Sequence, residues 1–201
     1  MGGEAVRRYV GGVLRARADA YDWDALRTVA GFAENLSAQG PSELAVRACR
    51  AAGGADEPAF PAAASLHALH VAIHLVDDII DGEERPSVDL PPGLRANLAL
   101  ALHSIAIEVL DDAPVEVRAA LMGAAAAAGR ETARGQELDA RGAGDEEGYW
   151  RIVEARHRPS LPRRCGWARC WAGPRPGRRR RWRRRASPSA CSSSWGTIWA
   201  T

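Results

Sequence analysis

Apolar residues recur every three or four positions along most of the first 161 residues, which is the spacing of one face of an α-helix. No alternation typical of a strand and no internal repeat stands out. Short loops between such helices favour antiparallel packing, so we expect an all-α bundle. The pattern predicts helical segments at residues 4–17, 22–36, 41–52, 58–81, 94–110, 115–140 and 149–156.

The central segment, residues 58–81, is apolar nearly all round, as a helix buried in a bundle would be. It ends in three carboxylates, Asp77, Asp78 and Asp81, and Gly82 follows. Asp77 and Asp81 are four residues apart and therefore share a helix face. Carboxylates this close repel each other unless a cation lies between them, and Mg²⁺ prefers such oxygen ligands. The plainer interpretation of the pattern, taken alone, is a solvated acidic helix end.

Charge is distributed unevenly along the chain, with a break near residue 161. Residues 1–161 contain all 25 acidic residues and 16 of the 27 basic ones, a net charge of −9. Residues 162–201 contain 11 arginines, no acid and five of the seven tryptophans. We therefore expect a helical domain over 1–161 and a separate tail, whose arginine run at 178–185 does not form a bundle helix. A solvated tail is favoured over one that binds nucleic acid or anionic lipid.

The sequence contains no visible targeting signal. Its first ten residues lack the apolar core of a signal peptide, and no apolar run approaches the roughly 18 residues of a membrane span. Cys49 stands alone, and Cys165, Cys170 and Cys191 lack the spacing of a metal site. We expect a cytoplasmic, reduced protein with no transmembrane segment and no nucleic-acid partner.

A second carboxylate motif follows the first, in the stretch Gly135-Gln-Glu-Leu-Asp139. Its glutamine and aspartate are three residues apart and share a face of the predicted helix. The segment Tyr149-Trp-Arg-Ile-Val153 comes ten residues later. With the DDxxD pattern at 77–81, this order of motifs resembles the trans-isoprenyl (polyprenyl) diphosphate synthase family. The resemblance implies an antiparallel bundle of the class I isoprenoid synthase type, incomplete at its C-terminus.

The same resemblance implies a Mg²⁺-dependent active site. Asp77 and Asp81 would bind the Mg²⁺ ions that hold an allylic diphosphate, with Asp78 beside them as a further catalytic residue. Asp139 would join the metal ligands, and Gln136 would face the site. The expected cofactor is therefore Mg²⁺, and the expected ligand is a prenyl diphosphate.

Five further positions match residues that contact substrate in that family. His70 matches a histidine seven residues before the first aspartate, and Ala72 and Ile73 match the positions that limit product length. Arg85 stands in place of the arginine pair after the first motif, and Arg156 in place of a lysine after the second. We expect the remaining histidines of the helices to line the core or the pocket wall: His67, His74 and His103.

Two departures from the family pattern, which covers residues 40–157, leave three functions open. The family's basic motif for isopentenyl diphosphate corresponds to Gln39–Ala45, which has no basic residue, and a second DDxxD is missing. The first function is a prenyltransferase that ionises an allylic prenyl diphosphate and condenses it with isopentenyl diphosphate, impaired in this chain. The second is a class I terpene synthase-like enzyme that acts on one prenyl diphosphate. The third is a non-catalytic helical domain with a basic, anion-binding tail. Family members are commonly homodimers, and the resemblance extends that expectation here.

The tail also permits a hypothesis about its coding sequence. Arginine runs are what GC-rich, alanine-rich coding DNA yields when it is read out of frame. With permitted codons, Gly196–Thr201 regroups in a shifted frame as Asp-Asp-Leu-Gly-Asp, which is the missing second motif. We hypothesise that the chain after about residue 161 is a frameshifted form of the family's C-terminal part, which would leave this chain inactive.

Overall fold

The computed structural model describes residues 2–36, 41–84 and 86–157, and the regular secondary structure in these residues is helical. The predicted all-α fold is confirmed for this part of the chain. Residues 37–40, Arg85 and the tail lie outside the described residues, together with the expectations placed on them.

The helices begin and end within a few residues of the predicted segments. They are α1 (Gly2–Ala20), α2 (Asp24–Asn35), α3 (Pro41–Ala51), α4 (Phe60–Ile80), α5 (Pro92–Glu108), α6 (Val115–Ala140) and α7 (Glu146–His157). Short 3₁₀ turns precede α4 (Glu57–Ala59) and follow α5 (Val109–Asp112). The last helix begins three residues earlier than predicted because Asp145 caps it, accepting a hydrogen bond from the Gly148 backbone N–H at 2.6 Å.

Helix α4 lies at the centre of the described bundle and contributes to two hydrophobic cores. Its first half packs with α1, α3, α6 and the turn after α5, and its second half packs with α1, α2 and α5. Each core contains large side chains that water does not reach, so α4 is held along its whole length. The largest fully buried leucines are Leu14, Leu26, Leu75, Leu98, Leu102, Leu110 and Leu121.

The two halves of α4 differ in how much of their surface is covered. Residues 61–69 are all buried, so the first half has no exposed face. From residue 70 onward, buried positions alternate with half-buried ones. The second half therefore leaves one stripe of the helix open, and this stripe positions the candidate site.

Two described helices are long and apolar enough to cross a membrane, judged by length and composition only: Glu57–Ile80 and Pro92–Asp112. The expectation that no apolar run approaches such a length is therefore wrong. In Glu57–Ile80, 72% of the apolar window is buried inside the bundle, against 44% in Pro92–Asp112. Because the core helix of a bundle passes the same test, these helices are weak evidence for a membrane span.

Candidate functional site

The open stripe of α4 carries several of the predicted site residues. Ile73 and His74 lie three and four residues after His70, and Asp77 lies four and three residues after them; all four residues are half-buried. Asp81 stands at the C-cap of the helix and is exposed. Two histidines and two aspartates thus lie along one face of the second half of α4, together with Ile73.

Gln136 of α6 joins the two predicted motifs. Its amide Nε2 donates a hydrogen bond to Asp77 Oδ1, although 59 positions separate the two residues. Gln136 is buried, with 6% of its surface exposed, and a buried amide requires such a partner. Asp139, three residues further along α6, is half-buried. The DDxxD and GQxxD stretches therefore meet where α6 packs on α4.

Asp78 has different partners from its neighbour Asp77. Its carboxylate accepts hydrogen bonds from the Ser87 backbone N–H at 2.7 Å and from the Ser87 hydroxyl at 3.3 Å. Arg95 Nη1 lies 3.9 Å from the same carboxylate, and the two side chains are only 6% and 11% exposed. Asp78 thus ties the loop after α4 to the first turn of α5, which favours a structural role over the predicted catalytic one.

The guanidinium of Arg95 depends on this carboxylate. Its Nε and Nη1 atoms are buried and have no hydrogen-bond partner within the described residues. A buried cation is costly unless an opposite charge lies nearby, and Asp78 supplies that charge. The pair was missed in the sequence, although Arg95 was visible there as a lone cation in the first turn of a strongly apolar helix.

The end of α4 is electrostatically unfavourable for the remaining carboxylates. The C-terminus of a helix carries partial negative charge, and the last turn of α4 contains no basic residue. Gly82 has a φ of +63°, which ends the helix there and leaves Asp81 exposed to solvent. The partial negative charge of this helix end would favour a cation bound near Asp77 and Asp81.

The donors at this end are carboxylate oxygens, which suit Mg²⁺ better than softer metals. Among the residues that the structure describes, no three His, Cys, Asp or Glu side chains come together as a metal-binding group. The predicted ligands Asp77, Asp81 and Asp139 therefore do not form a closed protein cage. Mg²⁺ commonly takes one or two carboxylates and completes its shell with water and substrate phosphates. The donor set fits an open site of that kind.

The residues predicted to bind substrate do not all lie on the open stripe. His70 and Ile73 lie on the open stripe, whereas Ala72 lies in the packed second core, with 7% of its surface exposed. Arg156 belongs to α7, but its side chain lies outside the described part of the chain, as does the whole of Arg85. The structure therefore associates His70 and Ile73 with the Asp77 face, and separates Ala72 from it.

Two histidines of the stripe contact each other. His70 Nε2 and His74 Nε2 are 3.3 Å apart, and the ring centroids are separated by 4.5 Å with the planes at 74°. Phe32 of α2 packs edge-on against His74, with a centroid distance of 6.4 Å. The sequence predicted His74 as a core or pocket-wall residue and did not predict its contact with His70. The spacing of four residues on a helix was the available signal.

The other helical histidines divide into one buried and one exposed residue. His67 is buried, its Nε2 lies 2.9 Å from the carbonyl oxygen of Ala33, and its predicted core position is confirmed. Burial lowers the pKa of His67, although the backbone hydrogen bond to Ala33 opposes the shift. His103 is exposed on α5, so the prediction of a core or pocket-wall position is wrong for it.

Comparison with known proteins places the chain in no family. A scan against protein-family models finds no match, and no curated protein matches it significantly.

Proposed function

We propose that the described bundle is of the class I isoprenoid synthase type and binds a prenyl diphosphate together with Mg²⁺. The observation that supports this most is the contact between Gln136 and Asp77, because it joins two motifs that are far apart in sequence. The hydrogen bond satisfies a buried amide, and it also brings together the two stretches that resemble the motifs of one family. The activity that follows is ionisation of an allylic diphosphate and its condensation with isopentenyl diphosphate.

Asp77, Ile73 and the residues near the end of α4 each have a task in this proposal. Asp77 and Asp81 would hold Mg²⁺, with Asp139 of α6 joining them, and the bound ion would stabilise the charge of the departing diphosphate. The hydrogen bond from Gln136 fixes the orientation of the Asp77 carboxylate. Ile73, half-buried on the same face, supplies apolar surface that keeps water from the allylic cation.

A second candidate is ionisation of a single prenyl diphosphate, as in a terpene synthase-like enzyme. The observation that favours it is the absence of a basic residue in Gln39–Ala45, the stretch that corresponds to the isopentenyl diphosphate motif of the resembling family. Incubation with an allylic diphosphate, with and without isopentenyl diphosphate, separates the two candidates. A longer prenyl diphosphate indicates condensation, and a hydrocarbon or alcohol from one substrate indicates ionisation alone.

Binding is the primary test, because the second aspartate motif is missing from this chain and turnover is expected to be impaired. The melting temperature of the purified chain would be measured with a prenyl thiodiphosphate, which resists ionisation, with Mg²⁺, and with both. We expect a rise of several degrees only when both are present, since a ligand that binds the folded state stabilises it. Mg²⁺-independent protection, or none at all, would favour a non-catalytic domain.

The matched variants are Asp77→Asn and Glu116→Gln, each of which replaces one carboxylate by its amide. Glu116 is exposed in the first turn of α6 and belongs to no predicted site. Asp77→Asn is expected to abolish the joint protection by Mg²⁺ and ligand, and Glu116→Gln to retain it. Equal protection in both variants would show that binding does not involve the end of α4.

A further inference from the structure

The pair of histidines on α4 lies outside the set of carboxylates that the proposed function uses for Mg²⁺. His70 and His74 are four residues apart on one helix face, and their Nε2 atoms are 3.3 Å apart. Neutral imidazole nitrogens suit Zn²⁺, Ni²⁺, Co²⁺ and Cu²⁺ and do not suit Mg²⁺. The chemistry of the pair therefore differs from that of the aspartates one turn further on.

The separation of the two nitrogens matches a shared metal ion. If each Nε2 lay about 2.1 Å from one Zn²⁺ ion, nitrogens 3.3 Å apart would subtend about 104° at the metal, near the tetrahedral angle. A hydrogen bond between two neutral rings at this distance requires the Nε2 proton on one of them, because the other Nε2 must accept it. Moving that proton to Nδ1 of the same ring leaves two Nε2 lone pairs for the metal, with no net gain or loss of protons.

The surroundings hold the pair in place. Phe32 of α2 packs edge-on against the His74 ring, with the two planes at 84°. His70 and His74 are half-buried, so the rings are supported by packing and still reach solvent. Ligands that are positioned before the metal arrives lose less conformational freedom on binding it.

We propose that His70 and His74 form a two-nitrogen site for a divalent transition-metal ion of the Zn²⁺ class, with water completing the coordination shell. No third His, Cys, Asp or Glu groups with them in the described part of the chain, so the described residues supply two ligands. Such a site is exchangeable, in contrast to a closed structural zinc site with four protein ligands. It does not depend on prenyl diphosphate binding.

Calorimetric titration of the whole chain with Zn²⁺ tests the proposal. The cysteines would first be alkylated and Mg²⁺ kept in excess, so that thiols and the carboxylate site do not take up the ion. We expect a saturable site with one ion per chain. His70→Gln and His74→Gln should each weaken it about 100-fold or more, because loss of either ring removes the chelate.

Two control variants locate the site. His103→Gln removes an exposed histidine of α5 and should leave the affinity unchanged, whereas Asp77→Asn removes a negative charge three residues from His74 and should weaken binding by less than about tenfold. Zn²⁺ binding that persists in both His70→Gln and His74→Gln would overturn the proposal. Binding lost in Asp77→Asn alone would overturn it as well, because the ion would then belong to the aspartates. Circular dichroism of each variant checks the fold, and either of the two histidine variants suffices for the test.

Discussion

The two halves of α4 differ in burial and in polarity. Residues 61–69 are buried on every side, whereas the half from His70 to Asp81 keeps an open stripe with two histidines and two aspartates. The first half is held by apolar contacts and by one buried polar contact, between His67 Nε2 and the carbonyl oxygen of Ala33. The second half places polar groups within contact of two other helices, through Phe32 of α2 and Gln136 of α6. The buried first half of α4 thus fixes the position of its polar second half at the edge of the core.

The adjacent aspartates show the same division within a single turn. Asp77, on the open stripe, contacts Gln136 of α6. Asp78 contacts Ser87 of the loop after α4 and lies beside Arg95 of α5. Neighbouring residues on a helix point about 100° apart, so one carboxylate can serve a site while the next serves the fold. The variants below separate the two roles.

Removing Asp78 is expected to have the largest effect on stability. Asp78→Ala leaves Arg95 buried without its carboxylate and frees the loop at Ser87, which should cost about 3–5 kcal/mol in the free energy of unfolding. Asp77→Ala, the matched control, should cost less, about 1–3 kcal/mol, because it leaves the buried Gln136 amide without this acceptor but leaves no buried charge unpaired. Urea unfolding followed by circular dichroism measures both. Equal costs would remove the distinction between the two carboxylates.

Truncation of apolar side chains compares the two halves directly. Leu66→Ala, in the fully buried half, should cost about 2–5 kcal/mol, since it leaves a cavity in the first core. Ile73→Ala, on the open stripe, should cost about half as much, because part of that side chain already meets solvent. The same urea experiment applies. A cost for Ile73→Ala as large as that for Leu66→Ala would mean that the stripe is as tightly packed as the core.

Enlarging Ala72 tests whether this position borders a substrate pocket. It is buried in the second core, so Ala72→Phe should cost about 1–3 kcal/mol through overpacking. Ile73→Phe adds a ring on the half-buried stripe and should be tolerated better. Should Ala72→Phe instead retain full stability and reject longer prenyl thiodiphosphates in the melting assay, Ala72 would face a cavity, as the family resemblance implies.

The smallest expected effect is a pH dependence that arises from His67. Burial lowers its pKa in the folded state below the ordinary value of 6.5, so the unfolded chain binds the proton more readily. The contribution is fully present above pH 6.5 and is lost as the pH falls through the folded-state pKa. The slope is at most about 1.4 kcal/mol per pH unit for one proton. His67→Gln should flatten the stability curve just below pH 6.5, and His103→Gln should not. Identical slopes in the two variants would contradict this assignment.

Helix positions were predictable from the sequence because long apolar or apolar-periodic segments alternate with stretches rich in Pro, Gly and polar residues. The end of α4 could also be predicted, since Gly82 adopts a positive φ, which residues with a side chain disfavour. The start of α7 was missed by three residues because Asp145 lies in a polar stretch where apolar periodicity carries no signal.

Only part of the site could be predicted from the sequence. That Gln136 and Asp77 come together could be expected only through the family resemblance, because spacing within one helix does not determine which other helix packs against it. The partners of Asp78 depend on how the loop after α4 folds back to Ser87, and no periodic pattern encodes that path. The exposed position of His103 followed from the way α5 packs, which a helix apolar on several faces leaves undetermined.

The central claim is that Asp77 and Gln136 act together at one Mg²⁺-dependent diphosphate site. Its most direct test is a double-mutant cycle, Asp77→Ala with Gln136→Ala, on the affinity for a prenyl thiodiphosphate in Mg²⁺. We predict that each single variant weakens binding at least about tenfold. The double variant should bind almost as well as the single variant with the lower affinity, since both side chains serve the same contact. Losses that add fully, or binding indifferent to both changes, would contradict a shared site.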